Sequence, residues 1–342
     1  MPKPSPSPKR RGRLLRLGAS CVVLSAVAGY VVVQYVTGGT ADPGCKVVAG
    51  DAAGTTYEFT PEQAVNAATI AAVGTDRAMP ERAVAIALAT ALQESGLRNL
   101  AHGDRDSLGL FQQRPSQGWG TEQQVTDPAY AANIFYEHLA KVRGYTELPL
   151  TVAAQRVQRS GYPEAYAKHE PDATVLAAAL TGTSPGTLTC TGRSDATSKA
   201  TGPDGVRAAL VRDFGREALQ QAGAEVSADA SATPSSAASS GGTGTDAGTP
   251  AAESSGRTVT VPVTADTSAD GRSAGERGWQ LAHWAVANAS ALRIERVSYA
   301  GREWIAGNTD SKWRATDSTG AEAAGAGGAG GGTGSVRIVT AQ

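Results

Sequence analysis

Between Ser227 and Gly256 the chain is almost entirely Ser, Ala, Gly, Thr, Asp and Pro. A stretch so poor in bulky apolar side chains buries too little surface to offset the entropy of ordering it. It divides the molecule into a part before and a part after, each expected to build its own core. A flexible linker is therefore expected over 191–256, interrupted by a short amphipathic helix from Asp204 to Ala222 with Val206, Leu210, Val211, Phe214 and Leu219 on it. The chain has 342 residues, but 41 are Gly and aromatics make up only 5%. The folded mass is accordingly smaller than the length allows.

Charge is informative in its distribution. The formal net charge is -1, which gives the chain no nucleic-acid signature. Residues 1–16 nevertheless form a basic head with Lys3, Lys9, Arg10, Arg11, Arg13 and Arg16 and no acid. Directly after it, Leu17 to Val36 carries no charge. A basic head before an apolar run is either a membrane anchor or a cleaved signal segment. Read as an anchor over 17–36, it makes the membrane a partner and the protein single-pass, with the remainder outside the cytoplasm. Read as a signal, it makes the protein secreted.

Cysteine usage fits an oxidising compartment. Cys21 belongs to the apolar run, whereas Cys45 and Cys190 flank a long central region. One cysteine on each flank of a compact domain reads as a disulfide tying its ends, with two free thiols as the alternative. There is no CxxC and no HExxH, and the four His are scattered, so neither a metal site nor a cofactor is expected.

Signals between Cys45 and Cys190 are mostly helical. Thr60-Pro61-Glu62-Gln63 is a helix start, with Thr as N-cap, Pro at the first position and Gln at N3. Met79-Pro80-Glu81 opens a second helix through Val84, Ile86, Leu88 and Leu92, apolar on nearly every face and so expected at the centre. Asp127-Pro128 and Thr151 open two more, and no stretch alternates with period two. After the linker, Thr258 to Val263 reads as a strand and Glu276 to Leu292 as a helix. Ile294 to Tyr299 with Arg302 to Ile305 reads as a hairpin, and Val336 to Val339 as a last strand. The expectation is a mainly α protein: a helical domain at 45–190, the linker, and a small α+β domain at 257–342. Trp279, Trp284, Trp304 and Trp313 belong to that second domain, as a minimal core or as a sugar-binding surface.

The chemistry concentrates between Gln93 and Trp119. Glu94 ends the apolar helix, where the helix dipole and burial both disfavour its charge. Such a carboxyl holds a proton near neutrality and can deliver it to a leaving oxygen; it can equally be a surface acid at a frayed helix end. His102, Asp104, Arg105 and Asp106 follow in a polar loop. Gln112 and Gln113 suit sugar hydroxyls and acetamido groups, and Trp119, between two glycines, suits stacking on a sugar. Gln155, Gln158, Tyr162 and Tyr166 add amides and phenols further on. A cleft of this character suits a polar, neutral polysaccharide.

Glu94-Ser95, a polar turn, and then Gly109-Leu110-Phe111-Gln112 resemble the signature of the soluble lytic transglycosylase-type domain of the lysozyme-like superfamily. The resemblance covers about 55–180, with Phe111 where that family has Met, and the variant looks most like cell-wall proteins of high-GC Gram-positive bacteria. It implies a lysozyme-like helical fold, and peptidoglycan glycan strands as substrate. Glu94 would be the sole catalytic acid between N-acetylmuramic acid and N-acetylglucosamine, then the base that leads to a 1,6-anhydro product. Ser95, Gln112 and Tyr166 would orient acid or sugar. The family's Ala-Tyr-Asn-Ala-Gly type motif is absent, since 154–161 reads AQRVQRSG, with Gln155 or Gln158 as substitutes. Asp104 or Asp106 as a second carboxylate would instead make a two-carboxylate muramidase. A chain that binds peptidoglycan without cleaving it is the third reading.

Overall fold

The computed structural model describes residues 44–50, 54–162, 164–192, 202–221, 256–263, 271–308, 312–316 and 334–341. Strand β1 (Cys45–Val48) pairs with β2 (Thr56–Phe59) on one side and β3 (Leu188–Cys190) on the other, all antiparallel. Cys45 stands directly opposite Cys190 in this register, and a disulfide joins them. These strands are too short to display a period in the sequence, which is why the reading of 45–190 contained no sheet.

Helix α1 (Pro61–Asp76) starts at the capping box read from the sequence: Thr60 accepts from the Gln63 amide and the Gln63 side chain accepts from Thr60 N. Helix α2 (Glu81–Ser95) is buried from Ala83 to Leu92. Its many Ala side chains let neighbouring helices approach closely on all sides. Those neighbours are α1, α4 (Pro128–Ala140), α5 (Leu150–Gln158) and α6 (Glu170–Thr181), with the short α3 (Glu122–Val125) outside α4. The apolar-all-round pattern therefore marks the central helix.

Helix α7 (Gly202–Gln221), broken at Gly215 where φ is 72, packs against α1 within the stretch expected to be linker. Its Val206, Ala209, Leu210 and Phe214 are buried. Residues 222–255 lie outside the described residues. Beyond them comes a mixed α+β region. Helix α8 (Ala274–Ala287), capped by Ser273 and Glu276, and the one-turn α9 (Ala289–Leu292) cover an antiparallel sheet. The sheet comprises β4 (Thr258–Val263), β5 (Ile294–Tyr299), β6 (Arg302–Ile305), β7 (Arg314–Ala315) and β8 (Gly334–Thr340), in the order β4-β8-β5-β6-β7. The molecule is thus a mainly helical N-terminal region followed by a smaller α+β region.

The two regions touch directly, and from Gly44 onward the described chain is one compact unit. Helix α8 packs on α6, α1 and β3. Trp304 Nε1 donates to Cys190 O at 2.9 Å, and Trp313 Nε1 donates to Leu188 O at 2.9 Å. Gly182 (φ 89) has no room for a side chain, because a Cβ there would stand 1.9 Å from Glu276 O. The tryptophans of the α+β region are core and inter-region contacts: Trp279, Trp284 and Trp304 are buried and Trp313 is packed against them.

The membrane reading of 17–36 is corrected. Among the described residues no helix is long and apolar enough to cross a membrane, and 17–36 itself lies outside them. A spanning helix needs about 20 apolar residues, and the helices described here bury their apolar faces against one another instead. The anchor, the membrane as a partner and the single-pass location fall with that reading.

Candidate active site

Helix α2 ends two residues after Gln93 because Gly96 adopts φ 62 and ψ 37, a left-handed C-cap. Helix α1 holds this turn from outside. Gln63 Nε2 donates to Gly96 O at 2.8 Å, and Asn66 Nδ2 donates to Leu97 O at 2.8 Å. Glu94 is thereby fixed on a rigid terminus, half-buried, with its carboxyl turned to the end of α5 and the segment that follows it.

Two side chains from that segment meet it. The Tyr166 phenol donates to Glu94 Oε1 at 2.7 Å. The Gln158 amide hydrogen-bonds the same carboxyl and donates to Phe111 O at 2.8 Å. Burial raises the Glu94 pKa above the usual carboxylate value, and the bonds from Tyr166 and Gln158 oppose that rise. Its position at a helix C-terminus works in the same direction as burial. The Tyr166 phenol is pushed up by burial and by Glu94, so it stays protonated and acts as a donor. Ser160 hydrogen-bonds that phenol. It also sits against Gln155, whose Nε2 donates to Ser160 O at 2.8 Å.

The loop facing Glu94 is held by its own sequence. Leu110 and Phe111 are fully buried, and Phe111 stacks on Phe135 with ring centroids 4.7 Å apart. Ser95 Oγ donates to Leu110 O at 2.8 Å, which ties helix to loop. Gly109 has φ 77, and a Cβ there would stand 2.1 Å from Val125 O, so only glycine fits. Bridges Leu100↔Gly109 and Leu108↔Gln113 close the loop.

The remaining sequence candidates have other places. Gln112, at φ 47, turns its amide toward Gly109 O at 3.3 Å and His102 O at 3.5 Å, bracing the loop. Gln113 is buried and donates to Ala131 O at 3.1 Å, a packing role. Trp119 is partly buried and stacks on His138, centroids 4.3 Å apart. Tyr162 is 79% exposed. Asp106 is taken up by Arg114 Nε and by Ser116 N, both at 2.8 Å, and these bonds hold its pKa well below the carboxylate range. Asp104 is exposed. Among the described residues there is no His/Cys/Asp/Glu group that could hold a metal ion. Ser160 belongs to the surroundings of the site without having been singled out. Only its nearness in sequence to Gln158 could have marked it.

The family described as VldE, C-terminal domain, matches residues 215–325. Glu94 and its loop lie outside that match. The matched span covers less than half of the chain and stops before β8, the strand between β4 and β5, so it includes the α+β region only in part. No curated protein matches the chain.

Proposed function

We propose that the chain cleaves the glycan strands of peptidoglycan between N-acetylmuramic acid and N-acetylglucosamine, with Glu94 as the single catalytic acid of a lysozyme-like, lytic transglycosylase-type domain. The observation that carries this reading is the Glu94–Tyr166 pair: a half-buried carboxyl at a helix terminus, its pKa raised by burial, oriented by a phenol 2.7 Å away. A carboxyl whose pKa is raised above the ordinary range is the better suited to donate a proton to a glycosidic oxygen. As the bond to the leaving sugar breaks, the substrate's acetamido oxygen closes on the anomeric carbon. The Glu94 carboxylate then takes the proton of the C6 hydroxyl, whose oxygen displaces the acetamido group and gives a 1,6-anhydro end.

Tyr166 and Gln158 hold the carboxyl through both steps, while Ser95 fixes the loop whose Phe111 carbonyl anchors Gln158. A single-acid route is favoured over two carboxylates because Asp106 is committed to Arg114 and Ser116. The disulfide between Cys45 and Cys190 fits work in an oxidising compartment, where the wall is.

The test incubates the protein and its Glu94→Gln variant with glycan strands containing muramic acid and reads product masses. Anhydro-muramic ends that vanish with Glu94→Gln support the proposal. Ends that have gained water indicate a hydrolase, and absence of cleavage by the unmutated protein overturns the enzyme reading.

A further inference from the structure

The sheet of the α+β region has two faces. Alternation along its strands sends Val259, Val261, Val297, Trp304, Val336 and Ile338 to the side of α8, where they are buried. Their neighbours along each strand point to the opposite face and stay in contact with solvent. A cavity of about 470 Å³ opens on that opposite face, with Arg257, Arg296, Arg337 and Ser298 among its walls. Val339, Ile305 and Ala306 give it an apolar part, and Glu295 is the one carboxylate lining it.

Strand register sets the donors side by side. Arg337 stands on the interior strand β8, directly opposite Thr260 on β4 and Ser298 on β5. Residues directly opposite share a face, so hydroxyls flank this arginine where carboxylates could have paired with it. Neither Arg337 nor the Ser298 hydroxyl has a hydrogen-bond or ion-pair partner among the described residues. Arg296, opposite Val339, is the diagonal neighbour of Arg337. The register shifts between Ile294 and Arg296, and this bulge turns Glu295 and Arg296 to the same exposed face. Arg257 enters from the start of β4, its Nη1 3.4 Å from Glu295 Oε2, and Arg296 Nη1 lies 3.3 Å from Glu303 Oε2. Both pairs are long and solvent-exposed, so they hold their arginines weakly against a competing anion.

We propose that this cavity binds a small phosphate monoester, with the phosphate on Arg337, Arg296 and the Ser298 hydroxyl and the organic part over Val339 and Ile305. A carboxylate offers two coplanar oxygens, which one guanidinium satisfies. A phosphate monoester offers three terminal oxygens in a pyramid and nearly two negative charges, and so takes donors arriving from several strands. The volume is that of a small-molecule site, larger than a bare phosphate fills, and its concave shape suits a compact ligand. The site shares no residue with the one around Glu94 and is independent of the glycan-cleaving reading.

The test titrates the full chain by calorimetry at physiological ionic strength with phenyl phosphate, inorganic phosphate and benzoate. Phenyl phosphate should bind, with inorganic phosphate and benzoate each at least roughly ten-fold weaker. Arg337→Ala should weaken phenyl phosphate roughly ten-fold or more, the effect of losing a charge-assisted bond, while Arg337→Lys retains part of the affinity. Arg302→Ala removes the same charge from β6 outside the cavity and should leave binding within about two-fold. Arg337 has no partner to strand, so the melting temperature of Arg337→Ala should match that of the unmutated protein and lost binding is not lost folding. Failure of phenyl phosphate to bind, or binding that Arg337→Ala leaves within about two-fold, overturns the proposal. An equal loss with Arg302→Ala also overturns it, by reducing the effect to net charge. Benzoate binding as tightly overturns the phosphate assignment, and inorganic phosphate binding as tightly overturns the monoester.

Discussion

The Tyr166 hydroxyl and Glu94 Oε1, 72 residues apart in sequence, stand 2.7 Å apart. The bond favours the ionised carboxyl and so restrains a pKa that burial raises. Tyr166→Phe removes it. The Glu94 pKa should then rise further, and the alkaline limb of the activity profile should move to higher pH. The rate of strand cleavage should fall about 10- to 100-fold, the usual worth of a hydrogen bond to a charged group. A pH–rate profile of the variant beside the unmutated protein measures both.

Glu94 also bears on stability. A carboxyl whose folded pKa is raised gives its full contribution below the unfolded pKa and loses it as pH rises through the folded value. Once ionised, the half-buried carboxylate is thus unfavourable to folding. Glu94→Gln should raise the melting temperature at pH 7, and the gain should shrink as the pH is lowered into the carboxylate range. A gain that is independent of pH would count against this account.

His283 is fully buried between the two regions, with Nδ1 2.7 Å from Ala179 O and Trp279 and Trp313 around the ring. Burial lowers its pKa to about 4. For a depressed histidine, the neutral form is the folded one. Its contribution is complete above the unfolded value of about 6.5 and is lost as pH falls through about 4. The loss is of order 3 kcal/mol. Denaturant titrations between pH 7 and pH 4 should show it, and His283→Gln should flatten that part of the curve.

Asp213 is buried and accepts from Trp284 Nε1 at 2.8 Å, from Thr69 Oγ1 at 3.2 Å and from Arg212 at 2.7 and 2.9 Å. It links α7, α1 and α8. Asp213→Ala strands these donors and should destabilise the protein by about 3–5 kcal/mol. Because the same carboxylate touches both regions, far-UV and tryptophan signals should still lose structure together in one transition.

Gly109→Ala tests the loop. The positive φ and the contact with Val125 O leave no space for a methyl group, so a loss of about 2–4 kcal/mol is expected, with weaker cleavage. Urea unfolding gives the first quantity and the product assay the second.

Local signals were legible wherever the physics is local. The Thr60–Gln63 capping box, the Asp127-Pro128 start, the apolar-all-round Glu81–Ser95 helix and the strand–helix–hairpin–strand order after Arg257 are written in caps, turns and periods of a few residues. Strands of three and four residues, β1 to β3, carry no such period and stayed unread. Glu94 could be singled out as a helix-end acid, but its partners could not. Gln112, beside it in the loop motif, braces its own turn, while Gln158 reaches the carboxyl from a different helix.

By itself, the sequence determined the helical spans, their caps and the α+β order of the C-terminal region, because backbone hydrogen bonding and apolar periodicity act over a few residues. Only the tertiary structure decided that Tyr166 and Gln158 converge on Glu94. It alone showed that Asp106 is bound elsewhere, and that the tryptophans after the linker pack on the helical region instead of facing solvent. Those relations depend on how helices and sheet close-pack in three dimensions, and close packing joins residues that no local pattern connects.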